Sequence, residues 1–80
     1  MKSIRKHHLS YSVIYQAVPE GGYIALAPAL PGCHTQGETL EEAEVNITEA
    51  IELYLESLQA HKQIFPEEFR ILQGKVQVAV

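Results

Sequence analysis

The sequence predicts an α+β domain of order β-β-β-α-β: a three-stranded antiparallel meander, a crossover helix and a fourth strand parallel to the first. Two observations carry this reading. Period-two alternation of apolar and polar residues occurs near both ends of the chain, and a single long 3.6-period apolar stripe lies between Leu40 and about His61. The 80 residues suffice for one domain, taken as residues 1–80 with a basic lead-in over 1–8 and a folded core over 9–80. A chain this short buries only about 60–65% of its unfolded surface, so a small core and a thin margin of stability are expected.

The first strand is predicted from Leu9 to Val18. Leu9, Tyr11, Val13, Tyr15 and Ala17 alternate with Ser10, Ser12 and Gln16, while Ile14 and Val18 break the polar side. Pro19-Glu20-Gly21-Gly22 is a turn, with proline presetting one position and glycine able to take positive φ. Tyr23 to Ala27 then forms a hairpin with the first strand. Pro28 and Pro31 exclude the next stretch from a central ladder, so Pro28–Gly32 is a bulge, an edge or a rigid loop. Cys33 to Gly37 is the third strand. Thr39-Leu40-Glu41-Glu42 is a capping box, and Glu41 and Glu42 complement the positive end of the helix dipole. Leu40, Ala43, Ile47, Ala50, Ile51, Tyr54 and Leu58 make the buried stripe. Beyond a loop at Gln63–Glu68, Val76, Val78 and Val80 alternate with Lys75, Gln77 and Ala79 as the last strand, to which a right-handed crossover would give the direction of the first.

Charge narrows the function. Ten acids, all Glu, face six bases, a net charge of −4. That balance disfavours autonomous nucleic-acid binding, which needs a basic surplus. Glu38 to Glu56 holds seven acids and no base. Glu41, Glu49, Glu52 and Glu56 fall on or near the helix side opposite the apolar stripe. This face suits a basic protein partner, or it is simply a solvated face that keeps the chain dispersed. Val45 and Leu53 interrupt the same side and are candidates for contact with another chain. Tyr23 and the loop carrying Pro28 and Leu30 are further candidate contact residues.

No catalytic constellation emerges. His7, His8, His34 and His61 lack partners at zinc-site spacing, and no metal site is expected. Cys33 and His34 are adjacent on a strand and so point to opposite faces, which argues against a nucleophile–base pair. Cys33 is read as a small buried apolar side chain. A metal-dependent nuclease needs carboxylates converging from several elements, and neither the first nor the last strand carries one. No cofactor and no enzymatic activity are expected. With one cysteine, no signal-like apolar run and no ~20-residue apolar span, a soluble cytoplasmic protein that does not enter membranes is expected.

Several segments together are distinctive: Gly21-Gly22-Tyr23, Pro28-Ala29-Leu30-Pro31-Gly32-Cys33, Thr35-Gln36-Gly37-Glu38-Thr39, Leu40-Glu41-Glu42-Ala43 and Ala50-Ile51-Glu52-Leu53-Tyr54-Leu55. In order and spacing they resemble the HicB antitoxin family, over roughly Leu9 to Leu58. The resemblance implies a truncated ribonuclease H-like fold and a toxin-binding role. The partner in that family is a HicA-type toxin, a small basic messenger-RNA-cleaving ribonuclease, which the antitoxin masks by steric occlusion. Many HicB antitoxins continue into an operator-binding domain. This chain runs to Val80 directly after its last predicted strand, so no direct DNA binding by this chain is expected. The alternative is a stand-alone oligomeric domain that shares only the HicB-like fold and binds another ligand. Self-association is expected in either case, because one helix on a four-stranded sheet leaves the second face and an edge uncovered.

Overall fold

The computed structural model describes residues 9–80, so the basic lead-in and the His7–His8 pair lie outside the described residues. Three strands, β1 (Ile14–Ala17), β2 (Tyr23–Leu26) and β3 (His34–Gly37), precede one helix, α1 (Leu40–Ala60). The sheet order is β1-β2-β3 with both pairings antiparallel, and α1 lies over β3 and β2. This is the α+β meander and helix that the periodicities predict.

Each connection has a local cause. Between β1 and β2, Gly21 N–H donates to Val18 O at 2.9 Å and Val18 N–H to Gly22 O at 3.0 Å. Both glycines hold positive φ, 109° and 85°, which other residues adopt only with strain. The Pro28–Gly32 segment is two consecutive four-residue turns. Leu30 N–H donates to Ala27 O at 3.0 Å, and Cys33 N–H donates to Leu30 O at 2.9 Å. Pro28 and Pro31 each occupy the second turn position, and Gly32 (φ 81°) supplies the positive φ that a type II turn needs third. Ala27 N–H donates to Cys33 O at 3.0 Å, closing the double turn at its base.

The helix starts as the capping box requires. Thr39 is extended, and its Oγ1 accepts from Glu42 N–H at 3.1 Å. Glu42 Oε1 accepts from Glu38 N–H at 3.2 Å, one residue earlier than the usual reciprocal bond. The far end is a Schellman motif with lysine in the place glycine usually takes. Gln63 N–H donates to Leu58 O at 2.8 Å and Lys62 N–H to Gln59 O at 3.0 Å, with Lys62 at φ 56°. The two caps give opposite expectations under thermal or chemical denaturation. Thr39→Ala should cost about 1 kcal/mol. Lys62→Gly should gain about 0.5–1 kcal/mol by removing the left-handed penalty.

The core is small and wholly apolar: Ala25, Ala27, Leu30, Cys33, Ala43 and Ile47, with no buried polar side chain among the described residues. Tyr11, Val13, Tyr15, Tyr23, Ala50, Ile51, Tyr54 and Leu55 pack around it, partly buried. Alanines at β2 and at the helix start let backbone approach backbone. Gly37 marks the closest point, since a Cβ there would stand 2.5 Å from Ala43 N.

The C-terminal segment departs from expectation. Residues 63–80 form neither helix nor strand, and the fourth strand expected over residues 75–80 is absent from this structure. The chain is held as far as Glu68: Tyr11 Oη donates to Pro66 O at 2.7 Å, and Glu68 accepts from Ser12 N–H and from its hydroxyl at 2.6 Å. From Phe69 onward every residue is exposed. The radius of gyration is 15.7 Å and the longest dimension 63 Å. A compact chain of this length would have a radius of about 11–12 Å, and α1 itself spans only about 31 Å. With no neighbouring backbone in reach, the alternating valines have no ladder to join.

Candidate partner-binding surfaces

Three surfaces stand out, and the register of the sheet sets two of them. Tyr15, Ala25 and Thr35 are cross-strand partners on the helix side. Side chains alternate, so Ile14, Leu26 and His34 form one row of the opposite face, and Gln16, Ile24 and Gln36 the next. No element of the described residues covers this outer face, and Ile24 is exposed. It continues into a shallow depression of about 330 Å³ lined by Ile24, Leu26, Pro28, Pro31 and His34.

The second surface is the outer side of α1. At about 100° per residue, Glu41, Val45, Glu49, Glu52, Leu53 and Glu56 span about 120° of the helix circumference, opposite the buried Ala43 and Ile47. All six are exposed, Val45 at 58% and Leu53 at 65%. The two apolar residues lie about 12 Å apart along the axis with glutamates around them. The result is an acidic strip with two exposed apolar points, bordered at Glu52 by the groove described next.

The third is a groove of about 530 Å³ on the helix side of β1, lined by Ser10, Tyr11 and Val13 ahead of the strand, Tyr15 from it, Ile47, Thr48, Ile51, Glu52 and Leu55 from α1, and Phe65 from the following segment. It exists because α1 sits over β2 and β3 and leaves that side of β1 open. The two tyrosines there ionise above their usual value. For Tyr11 desolvation is the main cause and the Glu68 charge adds to it. For Tyr15 desolvation again leads and Glu44 adds to it.

The residues expected to make contacts divide. Glu41, Val45, Glu49, Glu52, Leu53 and Glu56 share the helix strip, and Pro28 is exposed on the loop. Leu30 is corrected: at 1% exposure it is core, because the double turn folds it inward. Tyr23 is half-buried and packs against the core. The outer sheet face and the groove were not among the expected contacts. The signal for the groove was the run Tyr11, Val13, Tyr15, too long for the four residues that pair with β2. Cys33 is buried while His34 is exposed, as their adjacency on a strand requires. Burial pushes the Cys33 thiol up, further from a reactive thiolate. Among the described residues no three or more His, Cys, Asp or Glu side chains converge, and no helix is long and apolar enough to cross a membrane.

The described residues make a small α+β domain with exposed apolar and acidic faces. The comparison with known sequences gives the family. The sequence profile described as "HicB_like antitoxin of bacterial toxin-antitoxin system" matches residues 11–77, and the chain belongs to that family. It is similar to a UPF0150 protein of Synechocystis sp., 52% identical over 68 residues, which is 85% of this chain and 86% of the relative. A UPF0150 protein of Thermoplasma acidophilum is 47% identical over 60 residues, covering 75% of this chain and 87% of the relative. One of Thermotoga maritima is 38% identical over 74 residues, covering 91% and 92%. Membership associates the chain with a toxin–antitoxin role.

Proposed function

We propose that this chain is an antitoxin without enzymatic activity of its own, acting in the cytoplasm by seating the outer face of α1 on a small basic ribonuclease toxin of the HicA type. The observation that carries the reading is the strip itself, with Glu41, Glu49, Glu52 and Glu56 around exposed Val45 and Leu53. A toxin that cleaves RNA must present cationic groups to phosphates, and a fixed row of carboxylates competes for that surface. The carboxylates steer the encounter, and the two apolar side chains supply the desolvated contacts that slow dissociation. The order β-β-β-α is also the one with which a truncated ribonuclease H-like fold begins, in keeping with the resemblance. Neither cofactor nor DNA enters this mechanism.

The test is binding to a HicA-type ribonuclease from the same genome, together with RNA cleavage by that protein in the presence and absence of this chain. The unsubstituted chain is expected to co-purify with it and abolish cleavage. The double variant Val45→Arg/Leu53→Arg should weaken binding at least 100-fold, since each anchor becomes a charge repelled by the toxin. Both positions are exposed, so its circular dichroism should match the parent. Undiminished binding by the folded double variant would remove α1 from the interface, and no binding by the parent would remove the antitoxin reading.

A further inference from the structure

The groove beside β1 and the bare segment after Glu68 are two halves of one structure. We propose that residues 69–80 pair in trans, laying the missing fourth strand along the free edge of β1 in a second copy of this chain, while that copy returns its own segment.

The acceptor is incomplete as it stands. β1 is an outer strand of the sheet, so one row of its backbone groups is unpaired. On its helix side Val13, Tyr15, Ile51 and Leu55, each only partly buried, line an open groove with Ser10, Thr48 and Glu52 at its rim, apolar surface that a lone domain leaves in part to water. The donor is incomplete in the complementary way. Val76, Val78 and Val80 alternate with Lys75, Gln77 and Ala79, the pattern of a strand with one covered face, and Val76 is 87% exposed. Phe69 and Leu72, in the same segment, are exposed as well.

The geometry points to exchange between copies. Pro66 and Glu68 are fastened to Tyr11 and Ser12, at the head of β1, so the segment departs beside an acceptor edge. It then runs out into solvent and leaves its own groove empty, the conformation a protomer holds when its terminal strand is lodged in a partner. The exchanged segment belongs to the domain: the family match extends to residue 77. A twofold exchange satisfies both edges at once and closes the assembly. It needs no toxin, so it stands or falls separately from the proposed function.

The experiment uses the full chain at micromolar concentration. Light scattering on a sizing column should give twice the 8.9 kDa mass of the chain. Position is read from a cysteine pair in a Cys33→Ala background: Gln16→Cys on β1 and Gln77→Cys on the segment, both on the side away from the groove, joined by a short bis-maleimide. Exchange predicts a covalent dimer on a denaturing gel. A cross-link within one chain would instead place the fourth strand in cis and overturn the proposal. So would a monomeric parent, or a dimer that forms no cross-link. Val76→Asp/Val78→Asp, whose sites touch nothing in the described body of the domain, should leave circular dichroism intact and halve the mass. A double variant that stays dimeric would also overturn it.

Discussion

Replacing Ile47 by alanine is expected to lower the unfolding free energy by about 3–4 kcal/mol, toward the upper part of the range for a fully buried aliphatic residue. Ile47 is 1% exposed and, with Leu30, is one of the two large side chains completely enclosed. The other buried residues are Ala25, Ala27, Cys33 and Ala43, which have no reach to fill a vacated space. Their backbones belong to the sheet, the double turn and the helix start, so the site cannot collapse around the loss. A chain of this size commands only about 4–12 kcal/mol in total. The variant should therefore show a much lower urea midpoint with an unchanged slope, measured at fixed protein concentration so that any self-association is held constant. A loss below about 1 kcal/mol would mean that the core lies elsewhere.

The second large effect is expected at Gly37, for a reason unrelated to glycine's dihedral freedom. A Cβ there would stand 2.5 Å from Ala43 N, and 2.9 Å from both Ala43 Cα and Glu42 C. These are backbone atoms, unable to swing aside, so Gly37→Ala must push the start of α1 off the sheet. The expected cost is about 3 kcal/mol or more, at the high end for overpacking, with loss of a sharp unfolding transition. Two controls separate sterics from conformation. Gly21→Ala meets open space but must hold φ 109°, and should cost about 1–2 kcal/mol. Gly74→Ala meets nothing within 4 Å and should be nearly neutral. If Gly37→Ala behaved like Gly74→Ala, the close approach of helix and sheet would be refuted.

Gly37 also shows what the sequence makes legible. It closes β3 ahead of the capping box, where the residues place the end of the third strand, but the need for bare backbone arises from Ala43 passing behind it, a tertiary fact. The hairpin and the cap are local chemistry found where the residues place them, and the apolar stripe faces the sheet from Ala43 onward, while Leu40, in the first turn, is 43% exposed. Strand length is different. The alternation from Leu9 to Val18 reports which side chains are covered, and Tyr11, Val13 and Tyr15 are indeed packed inward. A ladder exists only where β2 offers a partner, over Ile14–Ala17. The same reasoning covers Val76 to Val80, whose periodicity announces a strand without saying which chain pairs with it. Leu30 was misjudged because two prolines suggest an exposed loop, whereas two linked turns return the residue between them to the core. Lys62 went unnoticed as a helix stop because glycine is the usual signal there. On the helix strip the six residues follow directly from spacing, which is why that part of the candidate surface was readable and the groove was not.

The arrangement of contacts has a kinetic consequence. β1 meets β2, β2 meets β3, and α1 meets the two strands just before it, all through short connections. Only the bonds from Tyr11 to Pro66 and from Ser12 to Glu68 bridge 55 and 56 residues. Low contact order of this kind goes with rapid folding. Sheet and helix can therefore assemble without residues 69–80, which are exposed and form neither helix nor strand. In the proposed exchange, assembly is a concentration-dependent step after folding, so the abundance of the chain would set how much of it is complete.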